Sequence, residues 1–227
     1  MDSSVGNYRK SMVRQAAMAL VGVLSVCVLL PGCGDDNGPA GVPTLTFADT
    51  VERTFSLDFG PSLDLSLFVG NVTVRPGPSP GLMQITAIKR AASEDDLNRI
   101  TLSINAIPNG VNIIAANPSN TQNTQVDFEI FAPEIATWNM DVKVGSIDYE
   151  GRPKGTCGFS TGFGEIKLKL PQNMNAVLNL STGAGVINLG FAIDGQVSTN
   201  SVMGTIGNGS EAEIAVGTTV GGITVSP

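Results

Sequence analysis

The stretch 159–166, FSTGFGEI, returns as LSTGAGVI at 180–187 and as VGTTVGGI at 216–223. In each, an apolar residue leads into a Ser-Thr or Gly-Thr pair, a glycine follows the threonine by three positions, and an isoleucine stands two beyond the glycine. Two more Gly-x-Ile elements belong to the series. Gly145-Ser146-Ile147 lacks the lead-in, and Gly204-Thr205-Ile206 has its lead-in, Val197-Ser198-Thr199, two residues further away. The leading glycines Gly145, Gly164, Gly185, Gly204 and Gly221 are spaced by 19, 21, 19 and 17 residues. An earlier relative, Gly70-Asn71-Val72, follows an alternating apolar segment.

A period near 20 residues with two or more short strands per period is the size of a β-solenoid coil, whose apolar side is buried only by stacking on neighbours. Glycine permits the positive φ or bulge at which a strand turns a corner. Ile147, Ile166, Ile187, Ile206 and Ile223 are expected to point inward and stack, and Thr, Ser and Asn beside them can form hydrogen-bonded rows. The expected fold is all-β, a right-handed β-solenoid of short stacked coils with one short helix. The alternative is an antiparallel β-sandwich with evenly spaced hairpins.

Outward from the repeats, period-2 patterning predicts strands in 44–47, 51–59, 62–74, 83–89, 101–107, 111–115 and 125–131. Leu63, Leu65 and Leu67 face one way, with Asp64 and Ser66 opposite. Ser93-Glu94-Asp95-Asp96 resembles a capping box and predicts a short helix from Glu94 to Ile100. The sequence divides into a leader at 1–32, a tether at 33–43 and one β domain at 44–227.

Composition narrows the chemistry. None of the 227 residues is histidine, which removes Ser-His-Asp and Cys-His catalysis and imidazole metal ligation. The formal net charge of −7 disfavours nucleic acid. Asp148 and Glu150 alternate on one predicted strand and could meet Glu165 on the next coil, a pattern that acidic catalysis or calcium binding uses. Lys167 and Lys169 offer cross-strand ion pairing as the simpler account. Tyr149, Trp138 and Phe131 could stack on a sugar but suit a core. No phosphate-cradling loop or calcium-binding repeat is present. No metal or cofactor is expected.

Arg9, Lys10 and Arg14 precede the uncharged run Ala16–Leu30, which is shorter than the ~20 residues of a membrane span. A basic stretch followed by such a run reads as an export signal. Leu30-Pro31-Gly32-Cys33 resembles the lipobox of bacterial lipoproteins. The resemblance implies cleavage before Cys33, diacylation of its sulfur and acylation of its new amine, with chains such as palmitate. Several acyl chains hold where one holds only marginally. Residues 34–43, GDDNGPAGVP, then read as a flexible tether. Removal of 1–32 takes away three bases and one acid, leaving 10 bases and 19 acids. Cys27 would be discarded and Cys33 blocked, so Cys157 would be the last thiol, expected as a small buried residue. Gly34 after Cys33 implies the outer membrane by resemblance to enteric sorting rules.

The elements Gly145-Ser146-Ile147 through Gly221-Gly222-Ile223, preceded by the strand–proline segment VDFEIFAP at 126–133, resemble the bacterial adhesin-like domains of unknown function. The resemblance covers roughly 50–227. It implies a β-solenoid, often a lipoprotein, with no catalytic residues to carry over. The function expected is that of a non-enzymatic, lipid-anchored cell-envelope protein that presents a rigid surface for adhesion or ligand binding. Its partners would be the membrane, through Cys33, and an extracellular glycan or protein. The alternatives are an enzyme acting on extracellular polysaccharide and an envelope sensory or regulatory protein.

Overall fold

The computed structural model describes residues 44–57, 61–108, 110–117, 123–133 and 137–227. The leader, Cys33 and the whole tether to residue 43 lie outside the described residues. Among those described, the alternating segments form β1 (Phe47–Ser56), β2 (Ser62–Val69), β3 (Val72–Pro76), β4 (Leu82–Ala91), β5 (Thr101–Ile107), β6 (Gly110–Ala116) and β7 (Thr124–Ala132). One strand expected over 62–74 is two, because Gly70 takes φ +137 and turns the chain between them. A helix, α1 (Glu94–Arg99), separates β4 from β5. Ser93 caps it as the sequence predicts: Asp96 N donates to Ser93 Oγ at 3.1 Å, and Ser93 Oγ donates to Asp96 Oδ2 at 2.7 Å.

The repeat region supplies β8 (Thr137–Val144), β9 (Ile147–Glu150), β10 (Gly155–Phe163), β11 (Ile166–Lys169), β12 (Ala176–Ala184), β13 (Ile187–Leu189), β14 (Asp194–Val197), β15 (Ser201–Ile206), β16 (Ala212–Val220) and β17 (Ile223–Ser226). Five of its pairs and predecessors share one shape, an arch: a long strand, a two-residue corner opened by glycine, and a short strand. The arches are β2–β3, β8–β9, β10–β11, β12–β13 and β16–β17.

All the strands belong to two mixed sheets. The eight-stranded sheet runs β1-β4-β7-β3-β9-β11-β17-β13, and the nine-stranded sheet β14-β15-β12-β16-β10-β8-β2-β6-β5. The arches lie parallel, each with its long strand in the larger sheet and its short strand in the other. The margins are antiparallel: β1 on β4, β4 on β7, β5 on β6, and the hairpin β14–β15 on β12. The stack does not follow chain order. Arch β16–β17 lies between β10–β11 and β12–β13, and β2–β3 lies between β8–β9 and the pair β6, β7. The ends are also stepped. Beyond the arch β12–β13 only the larger sheet continues, by β15 and β14; beyond β2–β3 the smaller sheet continues by three strands and the larger by two.

Inward side chains of both sheets form one buried cluster. Phe128, Val72, Ile147, Ile166, Ile223 and Ile187 follow one another in register across the smaller sheet. Facing them, Leu65, Met140, Phe159, Val216, Leu180 and Val202 form a row in the larger one. All twelve are buried. Rows of like side chains at strand spacing (~4.8 Å) pack without voids because each rung repeats the shape below it. Trp138 and Tyr149 meet edge to face across the sheets at 5.3 Å, and Tyr149 touches Phe159 at the same distance.

Candidate functional site

The corners are the most strongly specified part of the molecule. Gly70, Gly145, Gly164 and Gly221 take φ of +137, +138, +150 and +148, a region that side chains other than glycine rarely enter. They are also too crowded for a Cβ. One built on Gly145 would lie 1.8 Å from Gly70 O, on Gly164 1.9 Å from Gly145 O, on Gly221 1.8 Å from Gly164 O, and on Gly185 1.8 Å from Gly221 O. Each glycine therefore makes room for the carbonyl of the glycine below it.

The threonine of the motif completes the unit. Thr161 Oγ1 donates to Gly145 O at 3.1 Å, Thr218 Oγ1 to Gly164 O at 3.3 Å, and Thr182 Oγ1 to Gly221 O at 2.9 Å. These threonines are buried, so their hydroxyls need partners, and the neighbouring corner supplies them. Three positions before Gly70 and Gly145 stand Leu67 and Val142 instead, which fill the same slot as hydrocarbon. Backbone bonds knit the corners too: Ile147 N to Glu165 O, Ile166 N to Gly222 O and Ile223 N to Val186 O, each at 3.0 Å.

The element Gly204–Ile206 departs from the repeat expected of it. It lies inside β15, antiparallel to β12, with Ile206 opposite Ala176 and Gly204 opposite Leu178. Its glycine serves a close approach rather than a corner, since a Cβ there would lie 2.5 Å from Asp194 O. The lead-in to this element has a separate task. Thr199 O accepts from Ile187 N at 3.0 Å and Asn200 O from Thr182 N at 2.9 Å, which closes the stack at its last arch. Gly145, Gly164, Gly185 and Gly221 come together in one spine, and Ile147, Ile166, Ile187 and Ile223 in the row behind it.

Two outward surfaces flank this spine. Immediately before the corners, Val69, Val144, Phe163, Val220 and Ala184 lie in register on five successive rungs. They end the long strands beyond the edge of the core, so residues at inward-facing parity reach solvent there: Phe163 is 57% exposed, Val144 43% and Val220 42%. Val186, one place past Gly185 in the corner, is a further exposed apolar side chain. A contiguous exposed apolar row of this kind marks a contact surface more often than scattered single residues do.

The outer face of the smaller sheet is charged. Asp148 stands opposite Lys167 and Glu150 opposite Lys169. Lys169 Nζ reaches Glu150 Oε1 at 2.9 Å, as cross-strand pairing predicts, but Lys167 turns to Glu165 at 3.2 Å. Asp148 is held by Arg75, whose Nη1 and Nη2 donate to its two oxygens at 3.1 Å each. Arg75, beside β9 on β3, is the member of this cluster that the sequence reading missed. The hydrogen bond to Asp148, ahead of the nearby charges, raises the Arg75 pKa further. Both carboxylates are thus engaged in ion pairs on the outer face of the smaller sheet. Among the described residues no group of three or more Cys, Asp and Glu side chains gathers as a metal site.

The aromatic trio does not form a patch. Trp138 and Tyr149 are interior, while Phe131 lies half-buried on β7. Cys157 is fully buried opposite Ile214, and burial pushes its thiol pKa up. On the side away from the corners, Arg152 pairs with Glu211, which also accepts from Asn175 Nδ2 at 3.1 Å. The Asn175 bond first, and Arg152 second, hold the Glu211 carboxyl below its ordinary range.

A scan of protein-family models gives no match, and a search of curated proteins gives none. Among solved structures, the chain is similar to a candidate cell adhesion protein from Clostridium sporogenes ATCC 15579. The two share 17% identity and a TM-score of 0.52 over 77% of this chain and 98% of that one. A candidate adhesin from Bacteroides fragilis NCTC 9343 aligns over 82% of this chain and 100% of that one, with 9% identity and a TM-score of 0.31. The Clostridium likeness shows a common fold; the Bacteroides one is too distant to carry an argument.

Proposed function

We propose that the chain is a lipid-anchored cell-envelope protein whose solenoid-like stack presents a rigid, non-catalytic surface for adhesion or ligand binding. The observation that carries the reading is the apolar ridge of Val69, Val144, Phe163, Val220 and Ala184. It is contiguous, largely exposed and adjoins the closely packed glycine corners. Preorganised apolar contacts of this kind raise affinity by lowering the ordering cost of binding. The anchor rests on the sequence of 1–33 alone, and the likeness to a candidate cell adhesion protein supports the adhesive role.

The test is retention of purified protein on immobilised extracellular glycans and matrix proteins, compared with a Phe163→Asp/Val144→Asp variant of unchanged thermal stability. Retention lost in the variant supports the ridge; equal retention refutes it. Mass spectrometry of the mature N-terminus tests the anchor, which fails if Cys33 carries no lipid. A glycan-release assay tests the absence of catalysis: turnover abolished by Asp148→Asn or Glu150→Gln would overturn it.

A further inference from the structure

The two sheets end in open strands, β1 and β13 in the smaller and β5 and β14 in the larger. An open strand offers N–H and C=O groups to another chain, and folded proteins usually guard it. Three of these are poorly placed to pair with a second copy. β1 carries Asp49 and Arg53 at inward parity, Arg53 opposite the buried Ile85, and inward charge discourages strand addition. β13 has three residues, and Ile187 N is already taken by Thr199 O. β5 could not join its own equivalent in one continuous sheet. There β1 reaches one strand further than β5, so it would enter the place of the other copy's β4.

β14 differs. Its residues Gly195, Gln196 and Val197 are uncharged, and it pairs antiparallel with β15 on one side only. Ser198 N donates to Ser201 O at 2.8 Å, and bonded and non-bonded pairs alternate along such a ladder. Gln196 therefore turns its backbone groups to β15, while Gly195 and Val197 turn theirs to the open edge. The packing at Gly195 agrees: a Cβ there would lie 2.5 Å from Gly204 Cα, so its Cα side faces β15. Val197 stands opposite the buried Val202 at inward parity, but the smaller sheet has stopped at β13, and Val197 is 58% exposed. Met203, opposite Gln196, is 60% exposed. These are the two most exposed large apolar side chains among the described residues.

We propose that β14 pairs with β14 of a second copy, antiparallel about a two-fold axis through Gln196, so that the larger sheet runs on into its equivalent. In this register Gly195 and the partner's Val197 exchange both N–H···O bonds, and symmetry repeats the exchange. The missing side chain of Gly195 leaves room for the partner's Val197, and the two valines lie diagonally across the joint on the inward face. No strands collide, because in both copies the smaller sheet stops two strands short of this edge. The contact uses the same patch on both copies, so assembly closes at a dimer. The axis reverses the long strands from one copy to the other, which places the two apolar ridges on opposite margins of the joined sheet. The inference is independent of the anchor and of what the ridge binds.

The experiment is sedimentation equilibrium of the purified full chain in density-matched detergent, with Val197→Asp and, as a ridge control, Val144→Asp. Val197 is exposed, so its substitution leaves the fold intact. A monomer–dimer equilibrium at micromolar concentrations, weakened about tenfold or more by Val197→Asp and unchanged by Val144→Asp, supports the pairing. Gln196→Cys tests the register. Residues of a non-bonded antiparallel pair have Cα atoms about 4.5 Å apart, within disulfide range, so air oxidation should link two copies through position 196, read by peptide mass spectrometry. Cys157 is buried and does not compete. Four results overturn the proposal: monomer alone at sub-millimolar concentration, undiminished dimerisation of the Val197→Asp variant, equal weakening by Val144→Asp, or dimers with no link at position 196.

Discussion

Replacing Gly164 by alanine tests the spine at its middle rung. The new Cβ would lie 1.9 Å from Gly145 O, and no real Cβ contact is shorter than about 3.0 Å, so the two arches must part by at least 1.1 Å. Alanine at φ +150 also costs about 1–3 kcal/mol. Parting the arches strains three bonds: Gly145 N to Phe163 O (2.8 Å), Ile147 N to Glu165 O (3.0 Å) and Thr161 Oγ1 to Gly145 O (3.1 Å). At roughly 0.5–1.5 kcal/mol each, the expected loss is about 3–7 kcal/mol, most of the stability of an ordinary domain. Gly217→Ala is the control. It lies in β16, on the rung next to that of Gly164, where a Cβ meets only Ser181 Oγ at 3.9 Å. There alanine should be neutral or stabilising by up to ~1 kcal/mol, through the unfolded chain. Urea unfolding followed by the fluorescence of Trp138, the one tryptophan, reads both. A Gly164→Ala midpoint equal to that of the unsubstituted protein would refute the steric account, and an equal loss at Gly217 would show that any added methyl in these arches is costly.

Thr182→Val keeps the volume but removes the donor to Gly221 O; an unfolding loss of about 1–2 kcal/mol is expected, and none if the hydroxyl is idle. Asp148→Asn, on a half-exposed pair with Arg75, should cost less than ~1 kcal/mol, with the difference shrinking in 0.5 M salt. Cys157 should resist thiol reagents until the protein unfolds. Because its folded pKa is raised, the stability it contributes is complete below the ordinary thiol pKa of ~8.5 and declines as pH rises above it, a trend that Cys157→Ala should remove from urea midpoints at pH 7 and 9.5. Cys33→Ala should abolish lipid labelling of the protein, tested by labelled palmitate in cells.

Much of the local structure was legible because it depends on local patterns. Leu63, Leu65 and Leu67 alternate in a way that only a half-buried strand explains, and Ser93 with Asp96 caps a helix through atoms three residues apart. The corners were legible from Thr-x-x-Gly-x-Ile, since threonine and glycine there answer to each other's neighbours. The order of the arches was not. Arches β10–β11, β12–β13 and β16–β17 offer the same threonine donor, and every corner offers a glycine carbonyl, so any of these three could stack on another, and the sequence holds no local sign that β16–β17 enters between β10–β11 and β12–β13. Gly204 misled for a related reason: three matching residues recur in β15 without the three-residue interval from threonine that makes a corner, and that longer interval was the available signal. Arg75 escaped notice because its partner Asp148 is 73 positions away and is brought near only by the stacking of β3 on β9.

The insertion of β16–β17 between two earlier arches has a bearing on how the chain matures. A stack built in chain order could seal each rung as it is made. Here β10–β11 and β12–β13 must either wait apart or form a provisional contact that later reopens. Until residues 212–226 arrive, Phe159, Ile166, Leu180 and Ile187 lack the neighbours that finally cover them. A chain that stops short of residues 212–226 therefore has unsealed sheet edges in the midst of its repeats. That stage, rather than the finished body, is where a chaperone or a protease would find its opportunity.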